Sequence, residues 1–175
     1  MGKSYWSHPQ ERYGGLIRNM GKVIELAGSL DHPHAYRDRA LMLTVLTTGG
    51  RMSEVLELTW EDAAGDYVHY DRHRWLRKVP ISPVLRKALD VLYVVEGGPP
   101  LSERIFRIGP RTVHAVFKRV RVELGIANLS PHDLRYLFAV GLAKRKMPLG
   151  TIARLLGHRD AHMTASYLGE FSTIN

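Results

Sequence analysis

GHRDAHMTASY, Gly157 to Tyr167, puts a histidine directly behind a glycine and a tyrosine nine residues further on. On one straight helix nine residues turn through about 180°, at ~100° each, so His158 and Tyr167 would face opposite sides. The chain has the means to bend between them. Leu155-Leu156-Gly157 reads as a helix end with glycine at the left-handed cap position, and Asp160 as the N-cap of a new helix carrying Tyr167. The segment predicts two short helices set at an angle, which allows a shared site for imidazole and phenol without requiring one.

Upstream, Ser130-Pro131-His132-Asp133 is a strong helix start, with Ser at the N-cap, Pro at the first helical position and an acid at the third. Leu134, Leu137, Phe138 and Gly141 are expected to face the core, and His132 and Arg135, three apart, to share another face. His132 then lies in a first turn, where free amides and the helix dipole favour an anion.

Further back, YRDRALMLTVLTT (Tyr36 to Thr48) is apolar almost all round at its end, as in a buried helix, and Gly49-Gly50 stops it. Met52, Val55 and Leu56 form the stripe of another short helix beginning at Arg51. Tyr67–Tyr70 and Trp75–Ile81 alternate like two strands joined around Asp71-Arg72-His73-Arg74, with Pro80 at an edge or strand end.

Leu85, Ala88, Leu89, Leu92 and Val95 make a helical stripe, Gly97-Gly98-Pro99-Pro100 a loop, and Val113, Val116, Phe117, Val120 and Leu124 a second stripe. Arg111, Lys118, Arg119 and Arg121 surround that second helix, either as a solvated face or as one that meets phosphates. Residues 1–30 read as a lead segment and a weak helix broken at Gly14-Gly15 and Gly28. The fold class expected is α+β, mostly α-helical with a small antiparallel sheet, in a single domain over 1–175.

Composition narrows the function. The net charge of +8 is uneven: residues 1–66 carry seven Lys/Arg against nine Asp/Glu, whereas 67–175 carry eighteen against eight. Such a surplus suits an extended polyanion, because each neutralised phosphate releases counterions. The absence of cysteine excludes a disulfide framework and a thiolate metal site. No apolar run approaches the ~20 residues of a membrane span, and no signal-peptide core is visible.

Four features ask for one explanation: an arginine after a Gly-Gly helix break, a His-x-x-Arg at a helix N-terminus, a Gly-His, and a tyrosine near the end of the sequence. Phosphodiester cleavage by a tyrosine nucleophile uses such a set. Two guanidiniums can hold the non-bridging oxygens and stabilise the added charge of the transition state. Imidazoles can take the phenol proton or bond the phosphoryl group.

On TTGGRMSEVLELTWED, SPHDLRYLFAVGLAKR and LLGHRDAHMTASY, in that order, the chain resembles the catalytic domain of the tyrosine recombinase (phage integrase) family. The resemblance spans Tyr36 to Tyr167 as an integrase-like core and implies the DNA breaking-rejoining fold. It implies that Arg51 and Arg135 clamp the scissile phosphate and that His132 is the general base. It implies that His158 bonds a phosphoryl oxygen, that Tyr167 attacks to leave a 3′-phosphotyrosine link, and that Glu54 supports the site from behind.

The implied function is site-specific DNA recombination on double-stranded DNA, with no cofactor and no metal, by a cytoplasmic, DNA-associated protein. Self-association as a tetramer is expected on DNA, and a monomer when free. Two other readings stay open: DNA relaxation of the type IB topoisomerase kind, and a DNA-binding module that has lost catalysis.

The sequence departs from the family at three points. Where the family has a turn lysine as general acid, the count back from Val79-Pro80 falls on Arg72, and an always-charged arginine is a poor proton donor. Lys78 is the alternative on the same hairpin. Tyr136 replaces the commoner histidine after Arg135. There is also no room for the family's N-terminal core-binding domain, so an excised or reduced catalytic domain is expected.

Overall fold

The computed structural model describes residues 20–27, 33–70, 77–126 and 128–169. Helix α1 (Met20–Ala27) precedes α2 (Ala35–Thr48), the short α3 (Met52–Val55), a 3₁₀ turn (Glu61–Ala63) and strands β1 (Tyr67–Tyr70) and β2 (Arg77–Pro80). Helices α4 (Pro83–Val95), α5 (Pro110–Leu124), α6 (Pro131–Lys144), α7 (Leu149–Leu156) and α8 (Ala161–Leu168) follow. The fold is mostly helical with a small antiparallel two-stranded sheet, as the patterning requires. The lead glycines Gly14, Gly15 and Gly28, and the hairpin turn with Arg72, lie outside the described residues.

Two helices buried over most of their length organise the rest. In α2, Ala40 to Val45 are all buried, and the helix packs against α1, α4 and α6. Its threonines stay satisfied by returning their hydroxyls to the preceding turn, Thr44 to the Ala40 carbonyl and Thr48 to that of Thr44. In α6, Asp133 through Leu137 are buried without interruption. His132 and Arg135, one turn apart, differ in depth: His132 is exposed at the first turn, whereas Arg135 points into the protein and is 5% exposed.

The predicted caps are present. Ser130 Oγ accepts from the Asp133 amide while the Asp133 carboxylate accepts from the Ser130 amide at 2.8 Å, a closed capping box. Asp160 accepts from the Met163 amide at 2.8 Å, and Gly157 ends α7 at φ 67°. The bend between His158 and Tyr167 is therefore built from a left-handed glycine and an aspartate cap. One stripe assignment fails at its end: Leu85, Ala88, Leu89 and Leu92 are buried, but Val95, in the last turn of α4, is 57% exposed.

The strands pair with Val68 opposite Val79 and Tyr70 opposite Arg77, so those four side chains share the inner face. Lys78 takes the outer face with Tyr67, whose ring lies 4.9 Å from its Nζ. The Gly49-Gly50 turn is where helix, sheet and α6 meet most tightly. Gly49 adopts φ 65°, and a Cβ there would lie 2.4 Å from Phe138 Cδ1. A Cβ on Gly50 would lie 2.4 Å from the Tyr70 hydroxyl, which itself bonds Thr48 Oγ1 at 2.6 Å.

Gly49→Ala and Gly50→Ala are each expected to destabilise the protein by about 1–3 kcal/mol, through backbone strain and overpacking respectively. Gly65→Ala, with nothing within 4 Å of the added carbon, should stay near neutral. Urea midpoints at unchanged slope are the measurement, and equal midpoints for all three variants would contradict the packing described.

Candidate active site

The site is assembled around Arg135. From α6 its guanidinium donates to the carbonyl of Gly49, at the end of α2, and to that of Leu156, at the end of α7, the latter at 2.7 Å. It also faces His158 Nε2 at 3.2 Å. Burial, and then the charge of Arg51, lower its pKa to about 10, which leaves it charged at neutral pH. One buried cation thus gathers three separate motifs.

Arg51 is the residue just before α3, in extended conformation, and its side chain is 46% exposed. Its backbone amide donates to Glu54 Oε2 at 2.7 Å and its Nη1 to Oε1 at 3.2 Å. Its Nη2 stands 3.5 Å from the Gly157 carbonyl, at the edge of hydrogen bonding. The two arginines therefore flank the same Gly157-His158 turn, Arg135 from within and Arg51 from the solvent side.

Arg135 also sets the tautomer of His158. A guanidinium only donates, so Nε2 accepts, and Nδ1 carries the hydrogen and donates to Thr164 Oγ1 at 2.8 Å. Burial first, then Arg135, Arg51 and Arg77, lower the imidazole pKa to about 4. At neutral pH His158 is a neutral ring held at both nitrogens.

Tyr167 reaches this cluster from its own chain. Its ring makes edge contacts with His132 at 5.5 Å, Tyr136 at 5.5 Å and His158 at 5.6 Å between centroids. The phenol oxygen is buried and makes no hydrogen bond of standard geometry among the described residues. Burial pushes its pKa up to about 12 against the opposing pull of Arg135, so the phenol is protonated at neutral pH. A buried phenol facing two imidazoles beside a guanidinium is placed to lose its proton once an anion arrives to be attacked.

Arg51, His132, Arg135, His158 and Tyr167 are thus brought together, with Glu54 behind Arg51. Lys78 is not: it lies on the outer face of the hairpin, away from the cluster. Arg111 and Lys118 are exposed on α5 with Arg121 half-buried beside them. Arg119 differs, its Nη2 standing 3.4 Å from the buried Asp38 carboxylate of α2. Among the described residues no group of three or more His, Asp or Glu is arranged to hold a metal ion.

Three residues outside the motif assignments join the site: Thr164 on His158, Tyr136 on Tyr167, and Arg77. Both Arg77 nitrogens Nη1 and Nη2 bond the Glu54 carboxylate at 2.9 Å. Burial works against the charge on Glu54, but these bonds and Arg51 outweigh it and hold its pKa at about 2. The signal for Arg77 lies in strand alternation, which puts it on the same side as the buried Val79.

A model of the phage integrase family matches residues 19–172. The chain belongs to that family. A tyrosine recombinase XerC of Roseiflexus castenholzii is 26% identical over 165 residues, covering 86% of this chain and 52% of the relative. One of Pseudomonas savastanoi pv. phaseolicola is 31% identical over 144 residues, covering 76% and 48%. The chain therefore spans about half the length of the curated relatives it matches.

Among solved structures, XerA recombinase superposes with a TM-score of 0.73 at 20% identity, over 89% of this chain and 62% of that one. The catalytic domain of bacteriophage HP1 integrase gives 0.67 at 21%, over 87% and 84%. These two likenesses establish the integrase catalytic-domain fold for the helices and hairpin described above.

His158 is expected to remain neutral, with its hydrogen on Nδ1, from pH 8 down to about 5, and to titrate near 4. Long-range ¹⁵N NMR of the imidazole reads both properties. A hydrogen on Nε2 in the free protein, or an ordinary histidine titration near 6.5, would contradict the network.

Proposed function

We propose that this chain catalyses strand cleavage and rejoining in site-specific DNA recombination, on double-stranded DNA. The single observation that carries the reading is the seat of Tyr167, against His132 and His158 and beside Arg135, within one chain.

The chemistry follows from the groups present. Arg51 and Arg135 take the two non-bridging oxygens of the scissile phosphate, compensating the charge that grows as a fifth oxygen adds to phosphorus. Tyr167 Oη forms the new P–O bond, its proton passes to His132, and the P–O5′ bond breaks. The leaving oxygen takes up a proton to become a free 5′-hydroxyl. The product is a 3′-phosphotyrosyl ester, equal in number of phosphoester bonds to the starting strand, so attack by another 5′-hydroxyl reverses the step.

His158 can donate to phosphate only from Nε2, the atom that now accepts from Arg135. Arrival of the anion must therefore add a proton or move the hydrogen from Nδ1. Thr164 accommodates either change, since a hydroxyl can donate to Nδ1 as readily as accept from it. Of the two hairpin candidates, Lys78 faces away from the cluster, and Arg72, always charged, is suited to stabilising the leaving oxygen by its charge and not to donating the proton.

Exposed Arg111, His114 and Lys118, with Arg121, recur at helical spacing on the side of α5 opposite its buried Val113, Val116, Phe117 and Val120. This stripe is suited to tracking a phosphate backbone. Exchange of strands between two duplexes also calls for several copies on DNA, so assembly there, by a DNA-associated cytoplasmic protein, belongs to the reading.

The test is a nicked suicide duplex carrying the protein's own recombination site, incubated in EDTA. Wild type should accumulate a covalent protein–DNA adduct, and Tyr167→Phe should bind the duplex similarly and form none. A wild-type protein that forms no adduct on that site would overturn the catalytic reading.

Replacing Arg111 and Lys118 together by Gln should weaken binding of any duplex about uniformly. The slope of log K against log salt should fall by about 1 for each phosphate no longer neutralised. An unchanged slope would remove α5 from the DNA interface.

A further inference from the structure

Arg77 has no role in the chemistry just described, yet all three of its guanidinium nitrogens are bonded. It is 10% exposed. Its Nη1 and Nη2 take Glu54 Oε1 and Oε2, each at 2.9 Å, and its Nε donates to the Leu155 carbonyl at 3.0 Å. The guanidinium lies 4.3 Å over the Tyr70 ring. A Cβ on Gly157 would come within 2.9 Å of Nη1, so the His158 turn closes directly against it.

The consequence falls on Arg51. Glu54 Oε1 is shared: Arg77 holds it at 2.9 Å and Arg51 at 3.2 Å, with Arg51 the exposed, looser partner. A carboxylate this deeply buried requires a full complement of donors. While Arg77 supplies a two-pronged match, Arg51 is left with a single side-chain bond to Glu54 and a guanidinium directed toward solvent and the Gly157 carbonyl.

We propose that Arg77 is a positioning residue for the phosphate clamp: by occupying both oxygens of Glu54 it prevents that carboxylate from capturing Arg51, and so keeps Arg51 available to an anion. This rests on the reading of Arg51 and Arg135 as the clamp. Electrostatics point the same way. Arg77 cancels the one acidic charge beside two cations that must receive phosphate. Without it Glu54 would both repel the anion and draw Arg51 into a two-pronged pair of its own.

The role is distinguishable from scaffolding, because the harm done by losing Arg77 would come from Glu54 and should vanish with it. Inorganic phosphate, titrated into the full chain while the Arg51 Nε–Hε resonance is followed by NMR, is the probe. That resonance is identified by its loss in Arg51→Lys. Wild type should show saturable binding, Arg77→Met binding weaker by about tenfold, and Arg77→Met with Glu54→Gln a recovery to within about threefold of wild type.

Thermal unfolding establishes beforehand which variants are folded. If the single methionine variant is not, Arg77→Lys, which can engage only one carboxylate oxygen at a time, takes its place with the same direction expected. A single variant that binds like wild type, or a folded double variant no better than the single one, overturns the proposal. Wild type that fails to bind phosphate at Arg51 would instead remove the clamp reading, and this inference with it.

Discussion

The bonds from the buried Arg135 guanidinium to the carbonyls of Gly49 and Leu156 are what make this a site. Those carbonyls end α2 and α7, whose last turns leave acceptors without helical donors. A lysine could satisfy one of them as a point charge, but the planar fork reaches both and still presents an edge to His158. Placing that charge inside the protein costs several kcal/mol before compensation. The compensation comes from helix C-termini, the negative ends of their dipoles. The same bonds that stabilise the cation therefore fix where the Gly-Gly turn and the Gly-His turn stand relative to each other.

From that pin the rest of the site follows by donor and acceptor logic. Arg135 forces His158 to accept at Nε2, which forces Nδ1–H toward Thr164, and Thr164 is one turn before Tyr167 on α8. The phenol is consequently brought near the guanidinium as part of the same helix that orients the imidazole. Arg51 and Arg77 share the Glu54 carboxylate with Arg135 close by, so positive charge gathers around His158. Together with burial, the leading cause, this charge favours the neutral form of His158.

Much of this is legible in the sequence because the devices are local. Left-handed Gly157, the Asp160 cap and the Ser130–Asp133 box announce themselves within four residues, and each stands where the pattern puts it. Expectation and structure part where tertiary packing outranks local periodicity. Spacing puts His132 and Arg135 on a face apart from Leu134 and Leu137, yet α6 is buried on most sides and Arg135 is enclosed along with those leucines. Val95 keeps the spacing of its stripe but is the last residue of α4 and lies exposed. Arg119 belongs to a basic run by sequence and to the buried Asp38 by geometry, a partner about eighty residues away that no local rule could supply.

Tyr136 shows how a departure from family pattern can matter at a position without chemistry of its own. Its ring stands edge-on to Tyr167, the same relation that His132 and His158 have to it. Where a histidine would place an imidazole against the Tyr167 ring, a tyrosine places a larger aromatic surface there. Burial is the leading cause of the elevated pKa of Tyr167, and the neighbouring Tyr136 acts in the same direction. Tyrosine at this position therefore helps to enclose the phenol of Tyr167 and keep it protonated, while the Arg135 guanidinium is the main influence pulling the other way.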